Sequence, residues 1–388
     1  RGFTMTGWES GISAKDVTNS RFVDNHFVSN PDKGIALSGV PSENNVIANN
    51  EFRDNEKGIF LERGATHTTI ENNVFEANHE VGVKASGAAH TSILANTFDG
   101  HDGEKTIHLT GESPNAVVRG NTITNSGGEN EYVIHIGGES GDTLVEGNEI
   151  AHNTLGGISA GPLSVTVRDN LVYDNGDIGI LVGDGGSTVA GNTVYANRIG
   201  IAFDGGGNVY APDNVVKNNL EADVVSMDGA TDITVTNLVV DDAGTTVDIR
   251  GPSMNYALTG GVAMPAALPG DYVQQGPPVD AEMLSDGGQL DLVYHYDSAI
   301  TGTDESQLTL ARYDAGMSWW EGVSTTLDQG ADTLRATISD AGVVAPLSGT
   351  TDIYPPEAVA TANESVVAPG DVVDFDVSGS SDDTGIAS

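Results

Sequence analysis

The sequence predicts an all-β fold in which short parallel strands stack turn upon turn into a coil of about ten to eleven turns. A phrase recurs between Phe22 and Asp242 every 22 to 27 residues: an apolar residue, two variable residues, Asn, one variable residue and a second apolar residue. A further column, mostly Asn, lies five residues after each of these Asn positions, and a Gly-Ile or Gly-Val step often follows. A fixed period of this length indicates a solenoid.

Alternation of apolar and polar residues within each repeat indicates strands, because side chains in a strand alternate between two faces. Leucine-rich repeats are the competing solenoid, since their period overlaps and they also use an Asn. They require Leu at fixed positions, whereas these positions hold Ile, Val and Phe and no helical half-repeat is visible. The stacked coil of strands is therefore favoured.

The recurring Asn residues are predicted to form a ladder along an inner corner of the coil. An Asn side chain tolerates the dihedral angles of a tight bend and can bond the backbone locally. Stacked amides can also bond one another. The predicted structural ladder consists of Asn25, Asn50, Asn73, Asn96, Asn121, Asn148, Asn170, Asn192, Asn214 and Asn237.

Composition limits the classes of partner. The chain has 388 residues, with 56 Asp and Glu against 16 Lys and Arg and a formal net charge of −40. Because the apolar positions are regular, we expect a folded protein with an acidic, hydrated surface rather than a disordered one. Such a surface repels nucleic acid and anionic membranes. The chain has no Cys, which excludes disulfides and thiol metal sites, and it has no apolar run long enough to predict a membrane span.

The repeat fades after Ile249, and the chain beyond it is rich first in Gly, Pro and Ala and then in short alternating runs. Four segments are predicted: a coil over 1–250, a cap or linker over 251–280, a small β-sandwich over 281–354, and a further incomplete module over 355–388.

The repeated phrase V-x-x-N-x-F…N-x-x-G-I-x-L resembles the right-handed, single-stranded parallel β-helix repeats of the pectate-lyase-like superfamily, and is most similar to surface proteins with NosD-like repeats. The acidic composition resembles that of haloarchaeal secreted proteins. The last segment resembles the start of a PKD domain, an immunoglobulin-like extracellular module. These resemblances imply an extracellular or cell-surface location, and we expect the chain to be part of a longer protein.

A line of candidate catalytic residues follows from the strand geometry. In the Gly-Ile-x-Leu strands, the residue at x points outward if Ile and Leu point inward. This places Lys84, His108 and His135 on successive turns, about 4.8 Å apart. A lysine and two histidines amid carboxylates could serve as general acid and base. The alternative is a solvated face of separate polar residues, which we favour over a catalytic site.

Candidate binding residues lie on loops and on a second outward face. The two longest repeat steps add loops beside the line just described, and enlarged loops are where coils build clefts. Stacked tyrosines could hold a sugar ring, although a ladder that shields the strands from solvent is the favoured alternative. The candidate binding residues are Asp102, Glu104, Glu129, Glu131, Tyr173 and Tyr195.

The sequence predicts no cofactor. The nonapeptide Ca²⁺ repeat is absent, and the His and Met residues do not cluster at ligand spacing, so no metal is assigned. Weak binding of Ca²⁺ or another cation by acidic loops stays open.

We therefore predict a secreted or cell-surface structural or adhesive protein in a high-salt setting, whose rod presents a face to extracellular glycans or to other surface proteins. The alternative is a polysaccharide lyase or glycoside hydrolase that uses the line of Lys84, His108 and His135. A third alternative is a filament or matrix subunit that associates with itself. The choice between enzyme and non-enzyme stays open, with the non-enzyme favoured.

Overall fold

The computed structural model confirms an all-β parallel coil of about ten turns, continued by antiparallel strands. Within the described residues the only helical element is a 3-10 turn at Glu305–Gln307, and no helix is long and apolar enough to cross a membrane. The structure describes residues 1–103, 105–128, 132–161, 163–183, 185–227, 230–251, 255–284, 289–297, 304–350, 353, 361–362 and 375–376.

A full turn of the coil contributes three strands, which stack in register into three parallel columns. Column a contains β3 (Arg21–Val23), β6 (Val46–Ala48), β9 (Thr69–Glu71), β12 (Ser92–Leu94), β15 (Val117–Arg119), β18 (Thr143–Glu146), β21 (Val165–Arg168), β24 (Thr188–Ala190) and β27 (Gly206–Pro212). Column b contains β1 (Thr4–Thr6), β4 (His26–Val28), β7 (Glu51–Arg53), β10 (Val74–Glu76), β13 (Thr97–Asp99), β16 (Thr122–Thr124), β19 (Glu149–Ala151), β22 (Leu171–Tyr173), β25 (Thr193–Tyr195) and β28 (Val215–Lys217).

Column c forms sheet B, whereas columns a and b join into sheet A through β30 (Thr231–Val239). Column c contains β2 (Ser10–Lys15), β5 (Lys33–Ser38), β8 (Lys57–Leu61), β11 (Val81–Ser86), β14 (Ile107–Thr110), β17 (Tyr132–Ile136), β20 (Gly156–Ala160), β23 (Ile178–Val182), β26 (Ile199–Phe203) and β29 (Ala222–Ser226).

The bend between columns a and b holds a continuous ladder of nine buried asparagines, from Asn25 to Asn214. At each step, the backbone N–H and the side-chain Nδ2 of one Asn both donate to Oδ1 of the next; between Asn121 and Asn148 these distances are 3.0 and 2.9 Å. Nδ2 of Asn121 also donates to the carbonyl of Ile93. The side chains therefore satisfy backbone groups that the bend removes from the strand ladders.

Asn237 does not join this ladder, contrary to the prediction. Its residue is exposed, and its Nδ2 donates to Asp213 on the surface at 2.9 Å. The physical reason is one of register: β30 pairs parallel with β28 through Val215 and Val239, so Leu238 stands opposite Asn214 and fills the buried corner. Asn237 lies one residue before that position, and β30 also pairs antiparallel with β31 (Thr246–Gly251).

A second ladder lies at the bend between columns b and c. Asn55 donates to Asn78, and a separate run from Asn153 to Asn219 repeats the same bonding. The run ends on the buried carboxylate of Asp223, whose Oδ1 accepts from Asn219 at 2.9 Å and whose Oδ2 accepts from the N–H of Gly260 at 2.8 Å. Burial raises the pKa of Asp223. This carboxylate closes the ladder where the parallel coil gives way to antiparallel strands.

The core is a continuous stack of apolar side chains between sheets A and B. Phe27, Phe52, Phe75 and Phe98 on successive turns are fully buried and stack with ring centroids 4.5 to 4.9 Å apart. The spacing matches the distance between neighbouring strands of a sheet. Each turn thus buries its inner side chains against the turns above and below it.

Both sheets continue past the coil as antiparallel strands. Sheet A adds β31, β35 (Leu290–His295), β38 (Thr326–Asp328) and β39 (Thr333–Ile338). Sheet B adds β32 (Tyr256–Thr259), β33 (Val273–Gln274), β34 (Val279–Met283), β36 (Leu308–Asp314), β37 (Trp319–Val323) and β40 (Gly342–Ser348). The last turn of the coil is thereby covered instead of ending in open edges.

This continuity changes the interpretation of the segment boundaries. The predicted cap or linker at 251–280 supplies β32, which pairs with β29 of the coil. The strands of segment 281–354 extend the two coil sheets, so in pairing they are not separate from it. The division into domains remains a prediction. The PKD-like segment 355–388 lies outside the described residues except for β41 (Thr361–Ala362) and β42 (Phe375–Asp376), which pair with each other.

Candidate functional site

The outer face of sheet B carries a line of side chains at the position between the two inward apolar residues of each strand. The strand register pairs Ala36 with Phe60 and Phe60 with Lys84. It then pairs Lys84 with His108 and His108 with His135. The structure therefore brings the three candidate catalytic residues together on adjacent strands of one face.

A second outward row lies at the start of the same strands, because the alternation of side chains is broken there. A Cβ on Gly34 would lie 2.5 Å from the buried ring of Phe52, and Ile35 is also fully buried, so two consecutive residues face the core. The residue before them, Lys33, consequently faces outward. Its Nζ lies over the ring of Phe60, 5.5 Å from the centroid.

Phe60 is flanked by two ammonium groups, since Nζ of Lys84 also lies 5.9 Å from its ring centroid. Both distances are within the range of a cation–π interaction. Lys57 is the register partner of Lys33 on the next turn. We define the basic face by six residues: Lys33, Lys57, Phe60, Lys84, His108 and His135.

Two carboxylates hold the lysines of the basic face in place. Asp32 pairs with Lys33 and lies 3.9 Å from Nζ of Lys57. Glu80 pairs with Lys57 and lies 3.8 Å from Nζ of Lys84. The three ammonium groups and two carboxylates therefore form one connected series across three turns. The three lysine side chains are 16 to 27% exposed, so they are ordered by these contacts and still reach solvent.

The two histidines form the other end of the basic face. The imidazole rings of His108 and His135 meet edge to face with centroids 5.3 Å apart. A Cβ on Gly137 would lie 2.6 Å from Nε2 of His135, so the bare glycine makes room for this ring. The chemistry that this arrangement offers is cationic contact, hydrogen bonding and, at the imidazoles, proton exchange.

From the strand of His135 onward, the same outer face becomes apolar. Tyr132, Ile178, Ile199, Ala202 and Val225 lie on column c and form a cluster separate from the main core. All five are less than 9% exposed. The basic face is thus confined to the first six turns of the coil.

The candidate binding residues on loops fall into two groups. Asp102 lies in the bend before β14 and accepts from Nδ1 of His79 at 3.1 Å, while Nε2 of the same ring bonds Asp54 at 2.8 Å. The hydrogen bond that His79 donates to Asp54, and after it the one donated to Asp102, raises the pKa of His79. Asp102 is therefore part of an Asp-His-Asp series across three turns. Glu104, Glu129 and Glu131 lie outside the described residues.

Tyr173 and Tyr195 stack in register on column b, with centroids 5.0 Å apart and ring planes 6° apart. The edge of the His152 ring contacts Tyr173, whose hydroxyl donates to Glu149 at 3.0 Å. This hydrogen bond raises the pKa of Tyr173. The two ring faces that meet each other are not open to a sugar, which favours the shielding ladder. Use of this pair as a sugar platform stays a prediction.

Sequence reasoning missed Lys33, Lys57 and Phe60 as members of the site. Phe60 stands at the x position of its turn, and the two lysines stand three residues before x on consecutive turns. With six Lys in the chain, their recurrence at one repeat position was the available signal. Within the residues that the structure describes, no group of three or more His, Asp or Glu side chains is arranged to hold a metal ion.

Several solved structures are similar to this chain. Of the solved structures, the A-module of mannuronan C-5 epimerase AlgE6 from Azotobacter vinelandii is similar at 16% identity and a TM-score of 0.47, over 58% of this chain and 67% of that chain. An exopolygalacturonase from Thermotoga maritima is similar at 12% identity and a TM-score of 0.38, over 60% of this chain and 57% of that chain. The tailspike protein of E. coli bacteriophage HK620 is similar at 12% identity and a TM-score of 0.42, over 84% of this chain and 68% of that chain.

Structural similarity at such low sequence identities and TM-scores gives no information about what this chain binds. No curated protein matches it in sequence. The family model described as "Right handed beta helix region" matches residues 3–98 and 101–261, which is more than half of the chain. The chain therefore belongs to the right-handed β-helix family.

Proposed function

We propose that the chain is a secreted or cell-surface protein of structural or adhesive type, and that it binds an acidic polysaccharide along the basic face. The observation that supports this proposal is the gathering of cations on one face of a strongly acidic protein. Three of the six lysines lie on consecutive strands of this face, although acidic residues outnumber basic ones by 56 to 16 in the whole chain.

The geometry of the face suits a linear polymer. Phe60, Lys84, His108 and His135 lie in one row on four adjacent strands. Three strand spacings give a row about 14 Å long. A polysaccharide that lies along the coil axis would meet a ring that can stack on a sugar, an ammonium group for a carboxylate and two imidazoles for hydroxyl groups.

The net charge of −40 repels a polyanion at low ionic strength. In about 1 M salt the Debye length falls to about 3 Å, so charges beyond immediate contact are screened. Contact with the basic face then outweighs the repulsion of the distant carboxylates. A high-salt setting therefore favours binding, which is the opposite of the usual salt dependence of a cationic site.

The test is binding of polygalacturonate and of neutral dextran in 0.1 M and about 2 M salt. We expect the protein to retain polygalacturonate more strongly at the higher salt, to ignore dextran, and to lose binding in the variant with Lys84→Ala, His108→Ala and His135→Ala. Lys217→Ala removes a lysine from column b and serves as the matched control. Undiminished binding of polygalacturonate by the triple variant, or retention of dextran equal to that of polygalacturonate, would contradict the proposal.

The proximity of the two imidazoles favours one second candidate, a polysaccharide lyase or hydrolase acting on this face. An imidazole pair with centroids 5.3 Å apart, next to Lys84 on the neighbouring strand, could exchange protons with a bound sugar. Prolonged incubation with polygalacturonate distinguishes the two. New unsaturated or reducing ends that disappear with the triple variant would establish catalysis. Binding without new ends would support the non-catalytic proposal.

A further inference from the structure

A groove lies on the outer face of sheet A, at the far end of the molecule from the basic face. It is a hollow of about 410 Å³ across β27, β30, β31, β35 and β39, and its lining includes Asp232, Thr234, Arg250, Asp291 and Arg335. A second hollow of about 430 Å³ shares Asp291 and Arg335 and is lined also by Thr326. Both hollows are open to solvent rather than enclosed, so they suit a ligand that lies along the surface.

The strand register places the two arginines on either side of the groove. Thr234 pairs with Arg250, and Arg250 pairs with Asp291. Arg335 lies on β39, which is the next strand beyond β35. The two arginine strands are therefore separated by one strand, so their backbones are about 10 Å apart.

Asp291 holds one guanidinium in a fixed orientation. Both of its oxygens accept from Arg335, with Nε of Arg335 at 3.0 Å from Oδ1 and Nη2 on Oδ2. A guanidinium has five N–H donors, and this pair uses two of them. With its side chain 54% exposed, Arg335 presents its other donors to the two hollows.

Arg250 is held much less tightly. Its ion pair within the described part of the chain is with Asp248, at 3.6 Å, which is too long for a hydrogen bond. Oδ1 of that carboxylate already accepts from Nε2 of His295 at 3.0 Å and from the N–H of Asn237 at 2.9 Å. The Arg250 side chain is 52% exposed. Its planar fork is therefore available to a carboxylate that enters the groove.

The distribution of charge supports a binding role. After Lys217 the sequence contains three basic residues, Arg250, Arg312 and Arg335. Arg312 is buried and pairs with Glu321. Both exposed basic side chains in the described part of this region thus line one groove, amid a large excess of acidic residues.

We propose that this groove binds an acidic saccharide. Arg250 and Arg335 bind its carboxylates, and the hydroxyl groups of Thr234 and Thr326 bind its sugar hydroxyls. Planar guanidinium forks match carboxylates, and a lining of hydroxyl groups matches the saccharide. The site is built from other residues than the basic face and lies on the opposite sheet. This proposal can therefore be tested independently of the proposed function above.

The experiment uses trigalacturonate as the probe and the triple variant of the basic face as the background. That background removes the other proposed site, so failure of one proposal does not imply failure of the other. The imidazole signal of His295 reports on the groove by NMR, because the ring bonds the carboxylate that also faces Arg250. We expect a saturable shift of this signal with trigalacturonate and none with the neutral sugar maltotriose.

Arg250→Gln is expected to weaken binding at least about tenfold, the loss of one charged hydrogen-bond set. This variant is preferred because the ion pair of Arg250 with Asp248 is long, at 3.6 Å, and the side chain is half exposed, so the change removes little from the folded structure. Arg63→Gln, which changes an exposed arginine paired with Glu112, is the matched control. Equal binding of maltotriose, equal binding of sodium acetate, absence of any shift, or no effect of Arg250→Gln would overturn the proposal.

Discussion

His101 interrupts the second asparagine ladder, and replacing it tests how the ladder stabilises the coil. Its residue is 1% exposed, and neither ring nitrogen has a hydrogen-bond partner in the described structure. Its ring lies against Phe98, with centroids 5.9 Å apart. The preceding step shows what an asparagine does instead: Oδ1 of Asn78 accepts from the backbone N–H and from Nδ2 of Asn55, at 3.1 and 2.9 Å.

The change His101→Asn should therefore stabilise the protein. An asparagine here would accept two hydrogen bonds from Asn78 and donate one to a backbone carbonyl, as Asn78 does to Phe52 at 2.9 Å. Each such bond contributes about 0.5–1.5 kcal/mol to the free energy of unfolding. The smaller side chain leaves a void beside Phe98, which costs about 1 kcal/mol. We expect a net gain of about 0.5–3.5 kcal/mol at pH 7.

The gain should increase at acidic pH. Burial lowers the pKa of His101 from 6.5 to about 4 in the folded state, against the opposing effect of Asp102 and Asp99. The unfolded chain therefore binds a proton between pH 6.5 and pH 4 that the folded chain does not, so stability falls as the pH falls through this window. Over the whole window the loss is about 3 kcal/mol. The asparagine variant does not titrate and escapes it.

Urea unfolding at pH 7 and pH 4 measures the difference between the variant and the original chain. The other titrating groups contribute alike to both proteins, so they cancel in the difference. His90→Asn is the control, because His90 is exposed and has a positive φ that Asn also tolerates. A His101→Asn protein that is no more stable at pH 7, or whose advantage does not grow at pH 4, would refute the reasoning.

Three further changes test the ladders and the basic face. Asn148→Ala should lower the free energy of unfolding by roughly 1–3 kcal/mol, because it leaves donors of the neighbouring turn unpaired in the interior; an unchanged urea midpoint would contradict this. Gly137→Ala should force the ring of His135 to rotate, since the new Cβ would lie 2.6 Å from Nε2. We expect the variant to retain polygalacturonate more weakly and to keep its melting temperature. Unaltered retention of polygalacturonate would count against the site. Asp223→Asn should lower the free energy of unfolding by roughly 1–3 kcal/mol, because an amide has one acceptor oxygen for donors that now use both carboxylate oxygens. Equal stability of the two proteins by calorimetry would show that Asp223 does not stabilise the end of the second ladder.

The repeat alone was sufficient to predict the coil and most of its ladder. Every turn places its asparagine in the same surroundings, so spacing determines environment from Asn25 to Asn214. The prediction was wrong at Asn237 because the parallel register places Leu238 opposite Asn214, so a leucine fills the buried corner and Asn237 stands one residue before it. A shift of one residue within the last parallel turn depends on how β30 pairs, and periodicity does not contain that information.

The row of outward side chains was predictable for the same reason, because register follows from the repeat. The position of Lys33 was not, since strict alternation would have turned it toward the core. Two consecutive inward residues, Gly34 and Ile35, reverse that expectation, and the cause is the close packing of Gly34 against Phe52. The missing hydrogen bonds of His101 likewise depend on the three-dimensional surroundings of one side chain.

The arginine groove was outside the reach of sequence reasoning. Arg250 and Arg335 are far apart in the chain, and no sequence repeat predicts how their strands pair. Only the antiparallel order of β31, β35 and β39 brings them to one face.

The histidines of the chain provide the most direct measurement of the central functional claim. His108 and His135 lie on the basic face, whereas His67 and His90 stack on each other elsewhere on the coil, with centroids 4.5 Å apart. Imidazole NMR signals should be followed while trigalacturonate is added in about 2 M salt. The account predicts saturable shifts of the His108 and His135 signals with those of His67 and His90 unmoved. Shifts of all four signals alike, or stationary His108 and His135 signals at saturating saccharide, would contradict it.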